Sequence, residues 1–502
     1  MLLSYLLDGI SIASVSGAVD IEVSGFSIDS REVQRNQVFV ALAEPEMRDR
    51  REFVRDAAGS GACAVIVNRP LKGADRELGL TEVLVPDVQT ASALMAARFH
   101  GYPARKLSLI GVTGTKGKTT TSYLVAGILN RSNLNTGVIG TIAVRYGKTA
   151  EVSKNTTPHA IELQRILAKM VDEGMSAVSM EVSSHALKLH RVAACSFDVG
   201  VFTNLGWDHM NFHSSPEDYV QSKAMLMASV AEGMTVVNTD DPRGSFMASA
   251  SLCECLTYGL GEDAVLRALD LETSLEGSSF RVRSPYGSAY VETSLAGTFN
   301  VYNSLAAMGA AIARGIPLRE AVEALRDVGG VPGRLESVDT GELGFKVLVD
   351  YAHTAESMEN VLSTLKAIRP RKLITVFGCG GDRDRVRRPV MGKVAAKYSD
   401  MTFVTSDNPR TEDPSDIISD IVNGLQEDGV DPCLYEVVED RGKAIENAIE
   451  LASPGDIVVI LGKGHEDYQI IGDTKRPFDD REAARKALLN QHRFRAAENE
   501  RS

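Results

Sequence analysis

Three things are missing from this chain, a basic excess, a CxxC cysteine pair and a long apolar run, and each gap closes off a class of function. The 54 Lys and Arg are outnumbered by 67 Asp and Glu, giving a formal net charge of −13, the opposite of the basic footprint of a general nucleic-acid binder. The six cysteines, Cys63, Cys195, Cys253, Cys255, Cys379 and Cys433, are scattered without a CxxC pair. Neither a zinc site nor a disulfide framework is expected, and a reducing, cytoplasmic setting fits. No stretch is apolar for long enough to span a bilayer, so membrane insertion is not expected. The opening Met1 to Leu7 is apolar, yet Asp8 follows and no basic segment precedes it, so it reads as a first helix and not as a secretory signal. No repeat at solenoid spacing is present. What is there, 44% hydrophobic and 24% charged residues in a chain of 502, is ordinary globular composition. That length suits roughly three domains.

Short strand-like runs alternate with helical ones almost throughout, which predicts an α/β protein with mostly parallel sheets. A smaller N-terminal α/β domain over 1–103 carries strands at 38–42, 64–67 and 82–85, the last closed by Pro86, and a helix near 91–100. Gly101-Tyr102-Pro103 links it to a central domain over 104–334. There, strands are predicted at 178–182 and 199–203, with a small antiparallel piece around 264–295 and a helix over 302–314 stopped by Gly315 and Pro317. Gly329 to Arg334 is the next break. The C-terminal domain, 335–502, alternates strands at 347–350, 373–377, 402–405 and 457–460 with helix-length segments, the pattern of a Rossmann-like doubly wound sheet. The charged tail from Gln491 is expected to fray.

The most informative stretch is Thr113-Gly114-Thr115-Lys116-Gly117-Lys118-Thr119. Leu107, Leu109, Ile110 and Val112 lead into it as a buried strand, and Leu124, Val125, Ile128 and Leu129 follow at helical spacing. That strand, loop and helix are the context in which a P-loop holds polyphosphate. Backbone N–H groups from Gly114 to Gly117 and of the helix start at Lys118, Thr119 and Thr120 would surround phosphate oxygens, Lys118 would face the terminal phosphates, and the Thr119 hydroxyl would ligate magnesium. The first glycine of the standard pattern falls at Val112, so the spacing is Gly114-x-x-Gly117-Lys118-Thr119.

Glu181 ends an alternating strand downstream of this loop, where a carboxylate can reach a phosphate-bound magnesium. His185, His190, His209 and His213 crowd a short segment of a chain with nine histidines, with Asp208 and Asn211 among them. Their spacing matches no standard zinc motif, which favours contacts to metal-bound water and phosphate over zinc, with structural histidines as the plain alternative. Lys223 lies on a helix predicted over 219–227, and its spacing reads as a surface lysine. Asn300 and Asn303 open a helix and would serve as simple N-caps. Arg334 and Asp350 flank the boundary of the central and C-terminal domains, a common location for enclosed substrates. In the last domain Gly378 to Asp384, Asp407-Asn408-Pro409-Arg410 and Gly462-Lys463-Gly464-His465-Glu466 each follow a strand closely, which would bring three polar loops to one crevice. Arginines with a glutamate nearby suit an amino-acid ligand, guanidinium to carboxylate and Glu466 to ammonium; an internal ion-pair network is the alternative.

Taken together, these motifs resemble the Mur ligases, ATP-dependent amide-bond-forming enzymes of peptidoglycan precursor synthesis, over nearly the whole chain. The resemblance rests on Thr113 to Thr119, Glu181-Val182-Ser183-Ser184-His185, Asn204 to His209, Asn300 and Asn303, Gly333-Arg334 and Asp350-Tyr351-Ala352-His353. Asp29-Ser30-Arg31, Asn155-Thr156-Thr157, Gly380 to Asp384, Asp407 to Arg410 and Gly462 to Tyr468 resemble the branch that adds the third residue of the stem peptide. The resemblance implies an acyl phosphate formed from a substrate carboxylate and ATP, then displaced by an amine. Lys118, Glu181, His209 and Lys223 would be the catalytic set, with Gly114 to Thr120, Asn300, Asn303, Arg334 and Asp350 holding ATP. Magnesium would be held by Thr119, Glu181, His209 and Lys223, the last as an N6-carboxylysine whose carbamate oxygens replace a cation.

By the same resemblance, Ile28, Ser30, Asn155, Thr156, Thr157, Ser183 and Arg191 bind UDP-N-acetylmuramoyl-L-alanyl-D-glutamate. Arg383, Asp407, Asn408, Pro409, Arg410, Gly462 and Glu466 form a meso-diaminopimelate pocket, since two arginines beside a second carboxylate are favourable and beside a lone ammonium are not. Three departures from the family pattern stand out: Lys116 where Asn is usual, the loop Glu44 to Arg50 in place of a glycine-containing one, and Leu189 in place of a polar residue. A monomer is expected. The competing readings are the same reaction with L-lysine, a folylpolyglutamate synthase-like ligase, and a nucleotide-binding scaffold without catalysis.

Overall fold

Alternate residues of single strands enter different apolar clusters, and this alternation builds the layers of the protein. The computed structural model describes residues 1–42, 49–206 and 212–499, with side chains through His492. It divides into two compact units, Met1–Leu269 with Val282–Ala289 and Tyr302–Leu325, and Asp270–Arg281 with Tyr290–Val301 and Arg326–Ser502.

Two sheets have most of their strands in the first unit. The smaller has five strands in the order Ser14–Ser16, Thr81–Leu84, Ala64–Val67, Gln37–Val40, Gly25–Ser27, parallel except for its first strand. Val38, Val40, Ala64 and Ile66 pack on one face and Phe39, Ala41, Val65 and Val67 on the other, so a strand reading Ala-Val-Ile-Val is covered on both sides. Asp87 starts the neighbouring helix Val88–Phe99 by accepting from Gln89 and Thr90 N–H.

The larger sheet has eleven strands. At its centre Thr136–Ile139, Ala177–Glu181, Ser108–Thr113, Val199–Phe202 and Met234–Asn238 lie side by side and parallel. Register sets Glu181 against Val112 and Phe202 against Thr113. The loops after those strands therefore leave from one edge, where parallel sheets bind ligands. Where a small antiparallel piece was expected, the strands Leu266–Thr273, Ser278–Ser284 and Gly287–Thr293 are found.

The second unit contains a six-stranded sheet ordered Glu336–Val338, Lys346–Asp350, Ile457–Leu461, Leu373–Phe377, Met401–Val404, Tyr435–Val437, parallel except for its first strand. Leu348, Leu373, Phe377, Val459 and Leu461 face one helical layer, and Val347, Val349, Ile374, Val458 and Ile460 the other. This is the doubly wound arrangement that the continuous apolar runs imply.

Several boundaries differ from the sequence reading. The helix Pro216–Ser229 is longer than predicted because Ser215 caps it and Pro216 takes its first position. The helix Thr298–Ala313 begins early enough to take Asn300 and Asn303 inside it, so neither is a cap. The tail expected to fray from Gln491 continues the last helix to Asn499. Among the described residues no helix is long and apolar enough to cross a membrane.

Candidate active site

The phosphate loop leaves the strand Ser108–Thr113 and enters the helix Lys118–Arg131 with Gly117 at the N-cap. Gly114 and Gly117 have φ of 148° and 82°, a region that side chains with a Cβ rarely enter. A Cβ at Gly114 would strike Thr203 Oγ1, and one at Gly117 would strike Asn303 Oδ1. The loop is held from the next strand: Thr115 N donates to Asn204 O at 2.8 Å, Lys116 N to Asn204 Oδ1 at 3.0 Å, and Thr203 Oγ1 to Lys116 O at 2.6 Å. Lys118 Nζ folds over it, donating to Gly114 O at 2.9 Å and Thr115 O at 3.0 Å. Thr121 Oγ1 donates to Asn303 Oδ1 at 3.3 Å, so Asn303 braces the helix behind the loop.

Glu181 and Thr119 meet as their strand positions require. Thr119 Oγ1 donates to Glu181 Oε2 at 3.0 Å, and both side chains are buried. Thr141, which the sequence reading passed over, donates to the same carboxylate from N at 2.8 Å and from Oγ1 at 3.1 Å. Its only signal is its place just beyond the strand Thr136–Ile139. Among the described residues no group of three or more His, Cys, Asp or Glu could hold a metal by itself. A hydroxyl and one carboxylate, completed by phosphate oxygens and water, are what magnesium takes in nucleotide sites, so this pair fits it.

Lys223 corrects the surface reading. It is 1% exposed, its Nζ donates to Gly114 O at 2.7 Å, and it lies 4.4 Å from the centre of the Tyr219 ring. Tyr219 OH is in turn 2.9 Å from Thr115 Oγ1. The helix thus aims a lysine at the phosphate loop. His213 Nε2 lies 3.0 Å from Ser184 Oγ, burial holds its pKa below the ordinary value, and it is buried as a structural histidine. His190 reaches Thr90 Oγ1 at 2.7 Å and Asp87 Oδ2 at 3.0 Å. His209, Asp208 and Asn211 lie outside the described residues, as do residues 44–48 of the altered loop.

Several residues expected to hold the UDP-sugar connect to Glu181, Thr156 to its carboxylate through Thr141 and the others to its backbone carbonyl through Thr157. Thr156 Oγ1 is 3.0 Å from Thr141 Oγ1, Thr157 Oγ1 donates to Glu181 O at 2.8 Å, Ser183 N donates to Thr157 Oγ1 at 3.1 Å, and Arg191 Nη1 donates to Thr157 O at 3.2 Å. Ile28 and Asn155 line a cavity of about 610 Å³ with Ser27, Pro158, His159 and Arg165. Ile28 and Ser30 also line a second cavity, of about 380 Å³, with Arg31 and Arg50. Leu189 is buried, 8% exposed, which accounts for an apolar residue there.

In the second unit Asp350 ends its strand and is capped by two N–H groups, Leu335 at 2.8 Å and Ala352 at 2.7 Å. Burial raises its pKa, with the Arg334 charge opposing. The Arg334 guanidinium lies 5.0 Å from the Tyr351 ring centre, and His465 packs on the same ring at 5.0 Å. Asn300 Nδ2 donates to Ala296 O at 2.8 Å.

The polar loops converge as expected of neighbouring parallel strands. Arg410 Nη1 donates to Gly381 O at 2.8 Å, and a Cβ on Gly380 would lie 2.8 Å from Arg410 Nη1 and 3.8 Å from Arg383 Cγ. The Arg383 pKa is held down by burial first, then by the charges of Arg410 and Arg387. Like charges held this close disfavour each other's charged form unless an anion balances them. Asn408 Nδ2 donates to Glu466 Oε2 at 3.0 Å. Gly462, at φ 116°, permits Asp407 Oδ2 to approach to 2.6 Å of where its Cβ would be. Asp407 is 4.0 Å from Arg441, which is fully buried and paired with Asp480 at 2.7 Å. Pro409 carries the chain into Arg410, whose φ is 54°.

Residues 112–311 match the Mur ligase middle domain and residues 333–464 the Mur ligase glutamate ligase domain. A UDP-N-acetylmuramoyl-L-alanyl-D-glutamate--2,6-diaminopimelate ligase of Oceanobacillus iheyensis is 40% identical over 496 residues, covering 97% of this chain and 99% of that protein. The chain belongs to the Mur ligase family, whose members are ATP-dependent amide-bond-forming enzymes. A protein with the same name as the first relative, from Gloeobacter violaceus, is 44% identical over 470 residues, 93% of this chain and 94% of its own length. A solved structure of a UDP-N-acetylmuramoyl-L-alanyl-D-glutamate--2,6-diaminopimelate ligase superposes with a TM-score of 0.70 at 35% identity, covering 98% of this chain and 99% of the other.

Proposed function

We propose that this chain is the ligase that joins meso-diaminopimelate to UDP-N-acetylmuramoyl-L-alanyl-D-glutamate at the expense of ATP, acting as a cytoplasmic monomer built of domains 1–103, 104–334 and 335–502. The observation that carries the choice of amino acid is the pair Arg383 and Arg410 beside the Asn408–Glu466 hydrogen bond. A ligand ending in both carboxylate and ammonium satisfies both halves of that pocket, whereas L-lysine leaves the guanidinium groups without an anion.

The reaction needs a carboxylate to approach a triphosphate, two anions that repel. The P-loop N–H groups and Lys118 hold the phosphates, Asn303 and Glu181 keep loop and helix in register, and Arg334 and Asp350 contribute to the nucleotide site. Thr119 and Glu181, with His209 and a carbamylated Lys223, would hold magnesium, which when bound would supply positive charge between the reactants. The D-glutamate side-chain carboxylate attacks the terminal phosphorus, forming the acyl phosphate and releasing ADP. The amine of the incoming amino acid then adds to the acyl carbon, and the tetrahedral intermediate expels phosphate to leave the amide. Ile28, Ser30, Asn155, Thr156, Thr157, Ser183 and Arg191 position the UDP-sugar. The cavity of about 610 Å³ supports that reading, being of the size that small-molecule sites have.

Phosphate release from ATP by the purified protein tests this. Release should require the UDP-muramoyl dipeptide together with meso-diaminopimelate, with L-lysine and L-ornithine poorly used. Release without the dipeptide, or equal use of L-lysine, would overturn the proposal.

A further inference from the structure

The loop after the strand Ile457–Leu461 carries a lysine that the reaction described above does not use. Lys463 is 0% exposed, among the largest fully buried side chains of the protein. Its Nζ donates to Asn408 Oδ1 at 3.1 Å and to Glu466 Oε2 at 3.3 Å, while Asn408 Nδ2 donates to that same Oε2 at 3.0 Å. The three side chains form a closed triangle. The Tyr468 ring centre is 5.5 Å from the ammonium. A buried ammonium is costly unless paired and hydrogen-bonded, so the triangle is what permits Lys463 to sit there.

The triangle has two consequences for the amino-acid pocket. Asn408 Oδ1 is occupied by Lys463 and by Ile470 N–H at 2.9 Å, so its amide must turn Nδ2 toward Glu466. Glu466 keeps its second oxygen, Oε1, without a hydrogen bond among the described residues, and the side chain is 16% exposed. Its charge is nonetheless offset by Lys463. With Glu466 balanced, Arg383 and Arg410 dominate the local field, and Asp407 is already drawn toward Arg441.

We infer that Lys463 is a specificity-determining positioning residue: by fixing Glu466 and cancelling its charge, it makes the pocket favour an amino acid whose far end is zwitterionic over one that ends in an ammonium alone. The inference rests on the function proposed above. Without Lys463, Glu466 would be an unbalanced anion that welcomes a bare ammonium, and the pocket would lose its discrimination.

The experiment compares kcat/KM for meso-diaminopimelate and for L-lysine in the wild type, Lys463→Met, Lys463→Gln and Lys463→Met/Glu466→Gln, with the KM for ATP measured alongside. In Lys463→Met the preference for meso-diaminopimelate should fall about tenfold or more with the ATP KM unchanged, as expected for unbalancing one buried charge. Lys463→Gln keeps a hydrogen-bond donor without the charge and should show the same loss of preference, which provides the test if the methionine variant does not fold. In the double variant, where neither charge is present, the preference should return toward the wild-type value, the non-additivity expected of a coupled pair. An unchanged ratio in the folded single variants, or a double variant no more selective than Lys463→Met, overturns the inference. A wild type that does not use meso-diaminopimelate overturns the function itself, an outcome separable from the first.

Discussion

His465 belongs to the loop after the strand Ile457–Leu461, and its ring packs on Tyr351, the ring that also carries the Arg334 guanidinium. Burial, with the Arg334 and Arg481 charges adding, lowers its pKa from 6.5 to about 4. The folded protein therefore keeps this ring neutral where an unfolded chain would protonate it. Its contribution to stability is complete above pH 6.5, declines as the pH falls from 6.5 toward about 4, and levels off below that. His465→Asn should lower the urea midpoint at pH 7 through lost packing, yet lose less than the wild type when the pH drops from 7 to 5. Urea unfolding of both proteins at the two pH values checks this, and equal losses would count against a neutral, buried His465. At this scale the sequence was partly readable. Glu181 by itself was a weak signal, since a strand-end glutamate is usually solvated; its strand running parallel to the one that feeds the phosphate loop is what brings it to Thr119. From spacing alone Lys223 could not be placed, because helical spacing puts Tyr219 on its face but not the Gly114 carbonyl, which comes from a loop far back in the chain. The role of Lys463 could not be read from its motif because, although Glu466 lies three residues on in the same loop, Asn408 comes from the loop after another strand.

Strands were the easiest elements to find. Leu373–Phe377 and Ile457–Leu461 are buried at every position, and a run buried on both faces must be apolar throughout. Helix starts were harder, because the Asn residues at 300 and 303 carry a capping signal that the structure does not use; the helix begins at Thr298. The phosphate loop is the element whose local rules are strictest. Gly117 combines φ of 82° with the Asn303 carboxamide where a Cβ would go. Gly117→Ala should therefore weaken ATP binding about tenfold or more, the strain of a left-handed non-glycine residue and the displaced Asn303 each costing roughly 1 kcal/mol. Gly329→Ala, where the added methyl meets nothing within 4 Å, serves as the neutral comparison. Calorimetric titration with ATP measures both, and a Gly117→Ala variant that binds as well as the wild type would show that the loop opens before nucleotide arrives.

The whole molecule carries a net charge of −13, yet two of its proposed substrates, ATP and the UDP-muramoyl dipeptide, are polyanions, and the third, net neutral, presents two carboxylates. Long-range attraction to the protein as a whole cannot gather them, so affinity must come from cations concentrated at individual sites, where interactions act over a few ångströms and are little screened. Those cations are divided between the compact units: Lys118 and Lys223 belong to the first, Arg383, Arg410 and Lys463 to the second. If each set serves its own ligand, substitutions should separate cleanly. Lys118→Ala removes a cation from the phosphate loop and should weaken ATP binding by about 1–3 kcal/mol, the worth of a charge-assisted contact. Arg410→Ala should leave the ATP dissociation constant within about twofold while raising the KM for meso-diaminopimelate at least about tenfold, as for loss of a bidentate guanidinium contact. The double variant should then bind ATP as Lys118→Ala does, since independent sites without shared partners add. Titration calorimetry with ATP and steady-state kinetics with the amino acid read the two effects independently. A loss of ATP affinity in Arg410→Ala comparable to that in Lys118→Ala would mean that the guanidinium serves the nucleotide, and the assignment of the second unit's loops to the amino acid would have to be withdrawn.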